Sequence, residues 1–216
     1  MKILAIESSA VRASIAAVTF PDDTLAEVVV HEMRELPNDR KDSGPMFSTL
    51  ERVIRKFGRP DRIVVGLGPG SYAGVRIAIS AAFGLAAGSR TELVGCPSIV
   101  AMPGRWRSYV VIGDARRRTF FWGQVCDRTV RGEFDLLTEE QVRLRLASLG
   151  TGVLVFSADA LPPFSYRVRR NFPAADILAR LAADPTRQLT GMPLEPIYLR
   201  EAYVTTPTNE RRERIR

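Results

Sequence analysis

The sequence has few of the side chains that bind metal ions or form disulfide bonds. Its 216 residues include one histidine, His31, and two cysteines, Cys96 and Cys126. Neither cysteine belongs to a Cys-x-x-Cys pair and each lies in a run of strand-forming residues, so we expect two buried, reduced thiols and no structural zinc site. A single histidine cannot supply a two-histidine metal site, and we expect His31 at a strand end.

The sequence also lacks long apolar runs. No run reaches the roughly 18 apolar residues that a membrane-spanning helix needs, and the apolar start ends at Glu7, too early for a signal peptide. Hydrophobic residues make up 45% of the chain and charged residues 25%, as in ordinary globular proteins. We therefore expect a cytoplasmic protein with no membrane contact.

Acidic residues are outnumbered, and most of the basic residues are arginine. The formal net charge is +7, and arginines cluster at residues 116–118, 167–170 and 211–216. A positive surface attracts nucleic acid, because neutralised phosphates release counterions. Since acids are interspersed and no aromatic residues accompany the last cluster, a solvated surface is the simpler interpretation, and direct contact with RNA stays open.

The hydrophobic pattern predicts one order of elements twice: three strands, a helix, a strand and a helix. The first half contains the strands Ile3–Glu7, Ala13–Phe20 and Leu25–Met33, the helix Ser43–Phe57, the strand Arg62–Leu67, the helix Tyr72–Ala87 and a further strand, Glu92–Cys96. The second half contains the strands Tyr109–Gly113, Thr119–Cys126 and Glu133–Leu137, the helix Thr138–Gly150, the strand Val153–Ser157 and the helix Ala174–Ala183. This duplicated βββαβα order is the plan of the two lobes of actin-like ATPases.

The sequence therefore predicts an α/β protein with the actin-like ATPase (ASKHA) fold. We expect the first lobe at residues 1–104 and the second at residues 105–204, whose C-terminal part is free to pack on the first lobe. Residues 205–216 are polar and basic up to Ile215, and we expect them to form a loose tail.

The segment Gly66–Arg76 is the most informative stretch, because it joins a buried strand to a helix through a glycine-rich turn. Gly68 and Gly70 allow backbone angles that a Cβ would forbid, and Ser71 is placed to cap the helix. Two interpretations stay open: free N–H groups bind a phosphate at the helix N-terminus, or the glycines let two elements or two subunits approach closely. The sequence contains neither Gly-x-x-x-x-Gly-Lys-Ser/Thr nor Gly-x-Gly-x-x-Gly.

An acid stands at the end of the first strand of each predicted half. In a phosphoryl-transfer enzyme of this plan, such an acid orients magnesium, and the hydroxyl groups that follow it face the phosphates. The same residues are typical of turns held by local hydrogen bonds. The sequence thus indicates a nucleotide cleft, without a complete catalytic set, whose candidate residues are Glu7, Ser8, Ser9 and Asp114.

Several segments resemble the TsaB family, also called YeaZ, in their order and spacing. They are Met1–Ser9, Gly68–Ser80, Gly113–Arg116 followed by the aromatic run Phe120–Trp122, and Pro196–Arg200. Members of that family are needed for threonylcarbamoyladenosine synthesis in tRNA. The resemblance implies a two-lobed actin-like fold and a pseudo-enzyme, which is a subunit without catalysis of its own.

The resemblance also implies partners. The expected partner is TsaD, a paralogue that transfers the threonylcarbamoyl group to the adenosine following the anticodon, with the ATPase TsaE in the larger assembly. Without TsaD the chain is expected to form a homodimer, and it reaches tRNA through the complex. The resemblance implies that no cofactor is required, with ATP or ADP as an optional ligand of the complex.

The implied partner surface lies on the two helices of the first lobe. Its candidate residues are Met46, Leu50, Ser71, Tyr72, Gly74, Arg76, Ile79 and Phe83. Three positions depart from the common family pattern: Glu7 often is Asp, Asp42-Ser43 often is His-Ser or His-Thr, and Tyr72-Ala73 often is Phe-Thr. The second departure lies at the start of the first helix and bears on the strength of pairing.

Two other functions remain as alternatives. One is an active small kinase or acyl-phosphate enzyme that uses the cleft between the lobes. The other is a peptidase, for which the sequence offers neither a Gly-x-Ser-x-Gly nucleophile elbow nor paired metal ligands.

Overall fold

The computed structural model describes residues 1–21, 27–38, 42–187, 189 and 193–200. Within these residues the chain forms ten strands and four α-helices, arranged around two five-stranded sheets. No helix in these ranges is long and apolar enough to cross a membrane. The predicted tail at residues 205–216 lies outside the described residues.

The first sheet is built by the first half of the chain. Its strands are β1 (Lys2–Glu7), β2 (Arg12–Thr19), β3 (Val29–Pro37), β4 (Arg62–Gly66) and β5 (Glu92–Cys96), in the order β3-β2-β1-β4-β5. β1 pairs with β2 in antiparallel and with β4 in parallel orientation, so it lies at the centre of the sheet. Ile3–Ile6 are fully buried, because both faces of the sheet are covered.

The second sheet repeats this plan. Its strands are β6 (Ser108–Asp114), β7 (Thr119–Cys126), β8 (Thr129–Thr138), β9 (Leu154–Ser157) and β10 (Arg169–Arg170), in the order β10-β9-β6-β7-β8. A capping box starts the helix between β8 and β9: Thr138 Oγ1 accepts from the Gln141 N–H at 3.3 Å, and Gln141 Oε1 accepts from the Thr138 N–H at 2.8 Å.

Helices cover the sheets. α1 (Gly44–Phe57) and α2 (Tyr72–Ala86) pack on one face of the first sheet, and α3 (Glu139–Ser148) packs on the second sheet. α4 (Ala175–Ala183) comes from the second half of the chain, yet it packs on the other face of the first sheet, against β1, β2 and β4. The predicted α/β fold with a repeated βββαβα order is therefore confirmed.

Some element boundaries differ from the prediction. β3 runs to Pro37, past its predicted end at Met33, and β8 begins at Thr129 instead of Glu133. Both are edge strands with many exposed side chains, so the apolar pattern that marks a strand is weak there. The predicted start of the third strand at Leu25 lies outside the described residues. The pattern of apolar residues did not predict β10 or two short 3₁₀ helices, Ser98–Ala101 and Pro162–Phe164, because elements this short show no periodicity.

The cysteines and the histidine take different environments. Cys96 is buried, as predicted, whereas Cys126 is only partly buried because it ends β7 beside the edge strand β8. His31 lies near the start of the exposed strand β3, with Nε2 2.8 Å from Thr19 Oγ1.

The Glu7 side chain fills the space that a side chain at position 66 would occupy, at the end of the central strands. The Glu7 side chain is fully buried, and its Oε1 accepts a hydrogen bond from the Ser9 N–H at 2.7 Å. A Cβ on Gly66 would lie 1.8 Å from Glu7 Oε2 and 2.7 Å from Ser98 Oγ. Because the buried carboxyl group has no solvent to swing into, only glycine at position 66 leaves room for it.

Gly66→Ala is expected to destabilise the protein by about 1 to 3 kcal/mol, because the added methyl overpacks this space. In a Glu7→Asp background the same change is expected to cost less, since the shorter side chain withdraws the carboxyl group. Urea unfolding of the four variants of this double-mutant cycle measures the difference.

Gly84→Ala is the matched control, because a Cβ there meets nothing within 4 Å on the exposed side of α2. It is expected to be neutral or to stabilise by up to about 1 kcal/mol through helix propensity. An equal cost of Gly66→Ala in both backgrounds would contradict the steric explanation.

Candidate functional site

A cleft lies between the carboxyl ends of β1 and β6. Its walls come from the turn after β1, the glycine turn before α2, the β6–β7 turn and the segment Pro196–Arg200. The cleft has a volume of about 410 Å³. This is within the size range of sites for small ligands.

Close backbone contacts hold the glycine turn against the turn after β1. The Ser71 N–H donates to the Ser9 carbonyl oxygen at 2.6 Å, and a Cβ on Gly70 would lie 2.1 Å from that same oxygen. One turn into α2, a Cβ on Gly74 would lie 2.3 Å from the Ser8 carbonyl oxygen. The structure therefore uses these glycines for close approach, the second of the two interpretations that the sequence left open.

The start of α2 retains some unused hydrogen-bonding capacity. Ser71 Oγ caps the helix by accepting from the Gly74 N–H at 3.3 Å. Among the described residues, the N–H groups of Tyr72 and Ala73 have no acceptor, and both residues line the cleft. Such groups carry the positive end of the helix dipole. A physical basis for anion binding is therefore present as well.

Of the four candidate cleft residues, Ser9 and Asp114 line the cleft, whereas Glu7 and Ser8 do not. Glu7 and Ser8 are fully buried, and burial raises the pKa of Glu7 above its ordinary value of 4.5. Hydrogen bonds from Ser9 lower the pKa, but burial outweighs them. In the described ranges no group of three His, Cys, Asp or Glu residues is close enough to hold a metal ion.

The Asp114 carboxylate is engaged by its own turn. Oδ1 accepts from the Arg116 N–H at 2.7 Å, and Oδ2 accepts from Arg116 Nη1 at 3.0 Å. Arg116, Arg117 and Arg118 have φ values of 64°, 53° and 58°, a conformation that residues other than glycine rarely adopt. Arg116 and, from the C-terminal segment, Arg200 add positive charge to the cleft wall.

The candidate interface residues fall into two groups. Tyr72, Arg76 and Phe83 are exposed on α2, and Ser71 is partly exposed. The others are buried in the core beneath α1 and α2, namely Met46, Leu50, Gly74 and Ile79.

Two exposed aromatic residues were missed by the sequence interpretation: Phe47 and Tyr198. Phe47 lies on α1, one position away from the stripe of buried residues, and an apolar residue off that stripe was the available signal. The Tyr198 ring lies 5.6 Å from the Tyr72 ring, and the Arg76 guanidinium carbon lies 5.1 Å from the Tyr72 ring centroid. No sequence pattern indicates the contact between Tyr198 and Tyr72.

Solved structures share this architecture. YeaZ from Pseudomonas aeruginosa matches with a TM-score of 0.68 and 21% identity, over 92% of this chain and 99% of that chain. An uncharacterized protein with similarity to peptidase YEAZ from Pseudomonas aeruginosa matches with a TM-score of 0.64 and 20% identity, over the same shares of the two chains. These likenesses show the fold.

Sequence comparisons add further relatives. Residues 47–143 match the model of the family TsaD: tRNA N6-adenosine threonylcarbamoyltransferase. Uncharacterized proteins of Mycobacterium tuberculosis and Mycobacterium bovis are 33% identical over 147 residues, which cover 65% of this chain and 64% of theirs. The chain thus spans less than two thirds of the length of these curated relatives.

The chain has the fold of the actin-like ATPase class, with a mixed sheet in each half and a cleft between them. Within that class, the YeaZ fold over nearly the whole chain and the segment matched by the TsaD model confirm the resemblance to the TsaB (YeaZ) family.

Glu7→Gln is expected to stabilise the protein increasingly as the pH rises above 4.5, the ordinary pKa of the group. The raised pKa means that the folded state binds this proton more tightly than the unfolded chain, so Glu7 costs stability as the pH rises through the folded-state pKa. Glutamine stays neutral throughout. Urea unfolding from about pH 5 to about pH 8 should therefore show a growing advantage of the variant.

Glu51→Gln, on the exposed side of α1, is the control and should show no such trend. A constant difference between Glu7→Gln and the parent protein across this range would show that burial of the charge is not the cause.

Proposed function

We propose that this chain is a non-catalytic partner subunit of TsaD, acting in threonylcarbamoyladenosine modification of tRNA at the adenosine following the anticodon. The observation that carries the proposal is an exposed aromatic surface on α1 and α2. It consists of Phe47, Tyr72, Arg76 and Phe83, and we call it the helix surface. Its three rings are 46%, 53% and 54% exposed, in chain order.

The helix surface has the composition of the centre of a protein–protein interface. Aromatic residues and arginine are the types enriched there, and fully burying one such ring contributes about 1.5 to 3 kcal/mol. Arg76 stacks on Tyr72 and donates to its hydroxyl at 3.1 Å, so both side chains are already ordered. The small residues Ser80 and Gly84 are exposed on the same helix and allow a partner helix to approach closely.

The buried candidate residues support this surface from beneath. Met46, Leu50 and Ile79 pack in the core between the helices and the first sheet, and Gly74 lets α2 approach the turn after β1. In the proposal these residues position the helices, and the exposed residues contact the partner.

The geometry of the cleft supports a subunit without catalysis of its own. Glu7, which takes the place of a magnesium-orienting acid, is buried away from the cleft, and the Asp114 carboxylate is bound by Arg116. The proposal requires no cofactor. An ATP or ADP molecule held in the complex would meet Ser9 and the start of α2.

The proposal includes the wider assembly. TsaE joins the larger complex, tRNA is reached through the complex, and the chain pairs with a second copy through the helix surface when TsaD is absent. We place this assembly in the cytoplasm. We also propose lobes at residues 1–104 and 105–204.

Phe83→Glu is expected to weaken binding to TsaD of the same organism by about 30-fold or more, enough to abolish co-purification, because it places a charge in the helix surface. Leu144→Glu is the matched control, since Leu144 is 65% exposed on α3, which packs on the second sheet and is not part of the helix surface. The control should keep the complex intact. Equal binding of both variants would show that the helix surface is not the contact, provided that urea unfolding shows both variants folded.

Deletion of the gene is expected to remove threonylcarbamoyladenosine from tRNA, as measured by nucleoside mass spectrometry. The Leu144→Glu gene should restore the nucleoside, and the Phe83→Glu gene should not. An unchanged level in a strain without a duplicate gene would refute the proposal. Magnesium-dependent ATP turnover by the isolated chain would instead establish the kinase-like alternative.

A further inference from the structure

A second groove lies beside the cleft on the protein surface. Among the residues that line it are Arg12, Glu35, Arg170 and Phe172. Val11 is exposed and lines both the groove and the cleft, so the two depressions adjoin at this residue. We call the groove and the cleft together the tract.

Phe172 fixes two arginines at one end of the tract. The Arg12 guanidinium carbon lies 4.5 Å from the ring centroid and the Arg170 guanidinium carbon lies 5.4 Å from it. A guanidinium group that stacks on a ring keeps its in-plane N–H donors available. Two such groups on one ring suit the oxygen atoms of a phosphodiester backbone.

Positive charge in the tract is available to a ligand. Among the described residues, Arg170 and Arg200 form no ion pair with an acid. Four arginines line the tract against three acids, and the acids are held by neighbouring groups: Glu35 by Arg12 at 3.2 Å, Asp159 by a backbone N–H at 2.8 Å, and the acid of the β6–β7 turn as described above. Arg12 and Glu35 are about half exposed, so their attraction is weak and a phosphate can compete for the arginine.

An aromatic platform lies at the other end of the tract. Tyr198 lines the cleft and is 55% exposed, and its ring is held against the Tyr72 ring. A ring held in this way offers its outer face to a nucleobase. Arginines that contact phosphate groups, combined with exposed aromatic rings that stack on bases, are the means by which proteins hold single-stranded nucleic acid.

We propose that the tract binds a single nucleic-acid strand, with Arg12 and Arg170 contacting phosphate groups and Tyr198 stacking on a base. A nucleic acid is favoured over an acidic peptide, because carboxylates would use the arginines and leave the aromatic platform empty. The inference rests on the geometry of the tract and not on docking to TsaD.

The test is fluorescence anisotropy of the full chain with a labelled single-stranded RNA oligonucleotide over a range of salt concentrations. Arg170→Gln is expected to weaken binding about fivefold at low salt and to reduce the slope of log K against log salt by about 0.7. Arg131→Gln is the matched control, because Arg131 is exposed on β8, at the opposite edge of the same sheet. It should change neither quantity.

Stacking is tested separately with the tyrosines. Tyr198→Leu is expected to weaken RNA binding by about fivefold or more. Tyr166→Leu is the control, since Tyr166 is 66% exposed and lines neither part of the tract. Equal affinities of test and control variants would overturn the proposal, as would displacement of the RNA by polyglutamate at matched charge.

Arg170→Gln also separates this inference from the proposed function. It leaves the helix surface unchanged, so the variant should co-purify with TsaD as the parent protein does. A failed RNA experiment with an intact complex would remove the tract proposal alone, and RNA binding without any complex would remove the proposed function alone.

Discussion

The close contact between the start of α2 and the turn after β1 is the constraint on which the surface of this protein depends. Gly70 and Gly74 place the helix backbone against the carbonyl oxygens of Ser9 and Ser8, at distances that leave no room for a Cβ. The contact fixes where α2 begins on the sheet. It therefore determines which residues of α2 line the cleft and which are exposed to solvent.

The two sides of α2 differ in chemistry. Its inner side is small and apolar, with Ala78 and Ala82 fully buried against the sheet, so the helix lies close to the strands. Its outer side carries Tyr72, Arg76 and Phe83, which stay largely exposed although Tyr72 contacts Tyr198 and Arg76. One short helix thus supplies core packing, a wall of the cleft and an aromatic surface.

Sequence analysis predicted the strands and helices that local periodicity encodes. It missed the features that depend on contacts between residues far apart in the chain. The repeated element order followed from apolar patterns, but β1 is buried on both faces, so no alternation showed that Glu7 points away from the cleft. Helical spacing marked Met46 and Ile79 without distinguishing a core stripe from a contact stripe. The stacking of Arg12 and Arg170 on Phe172 joins residues from both halves of the chain, which no pattern in either half can predict.

The return of α4 to the first sheet joins the two halves of the chain through a shared core. Its first N–H, from Ala175, donates to the buried Ser14 Oγ at 3.0 Å, and Arg62 donates to the Ala182 carbonyl at its other end. Leu178 is fully buried in a core that also contains Tyr109 and Phe156 of the second sheet, so separating the two halves would expose apolar surface. The second half of the chain thus contributes a helix to the core of the first, so a change that unfolds either half also removes packing from the other.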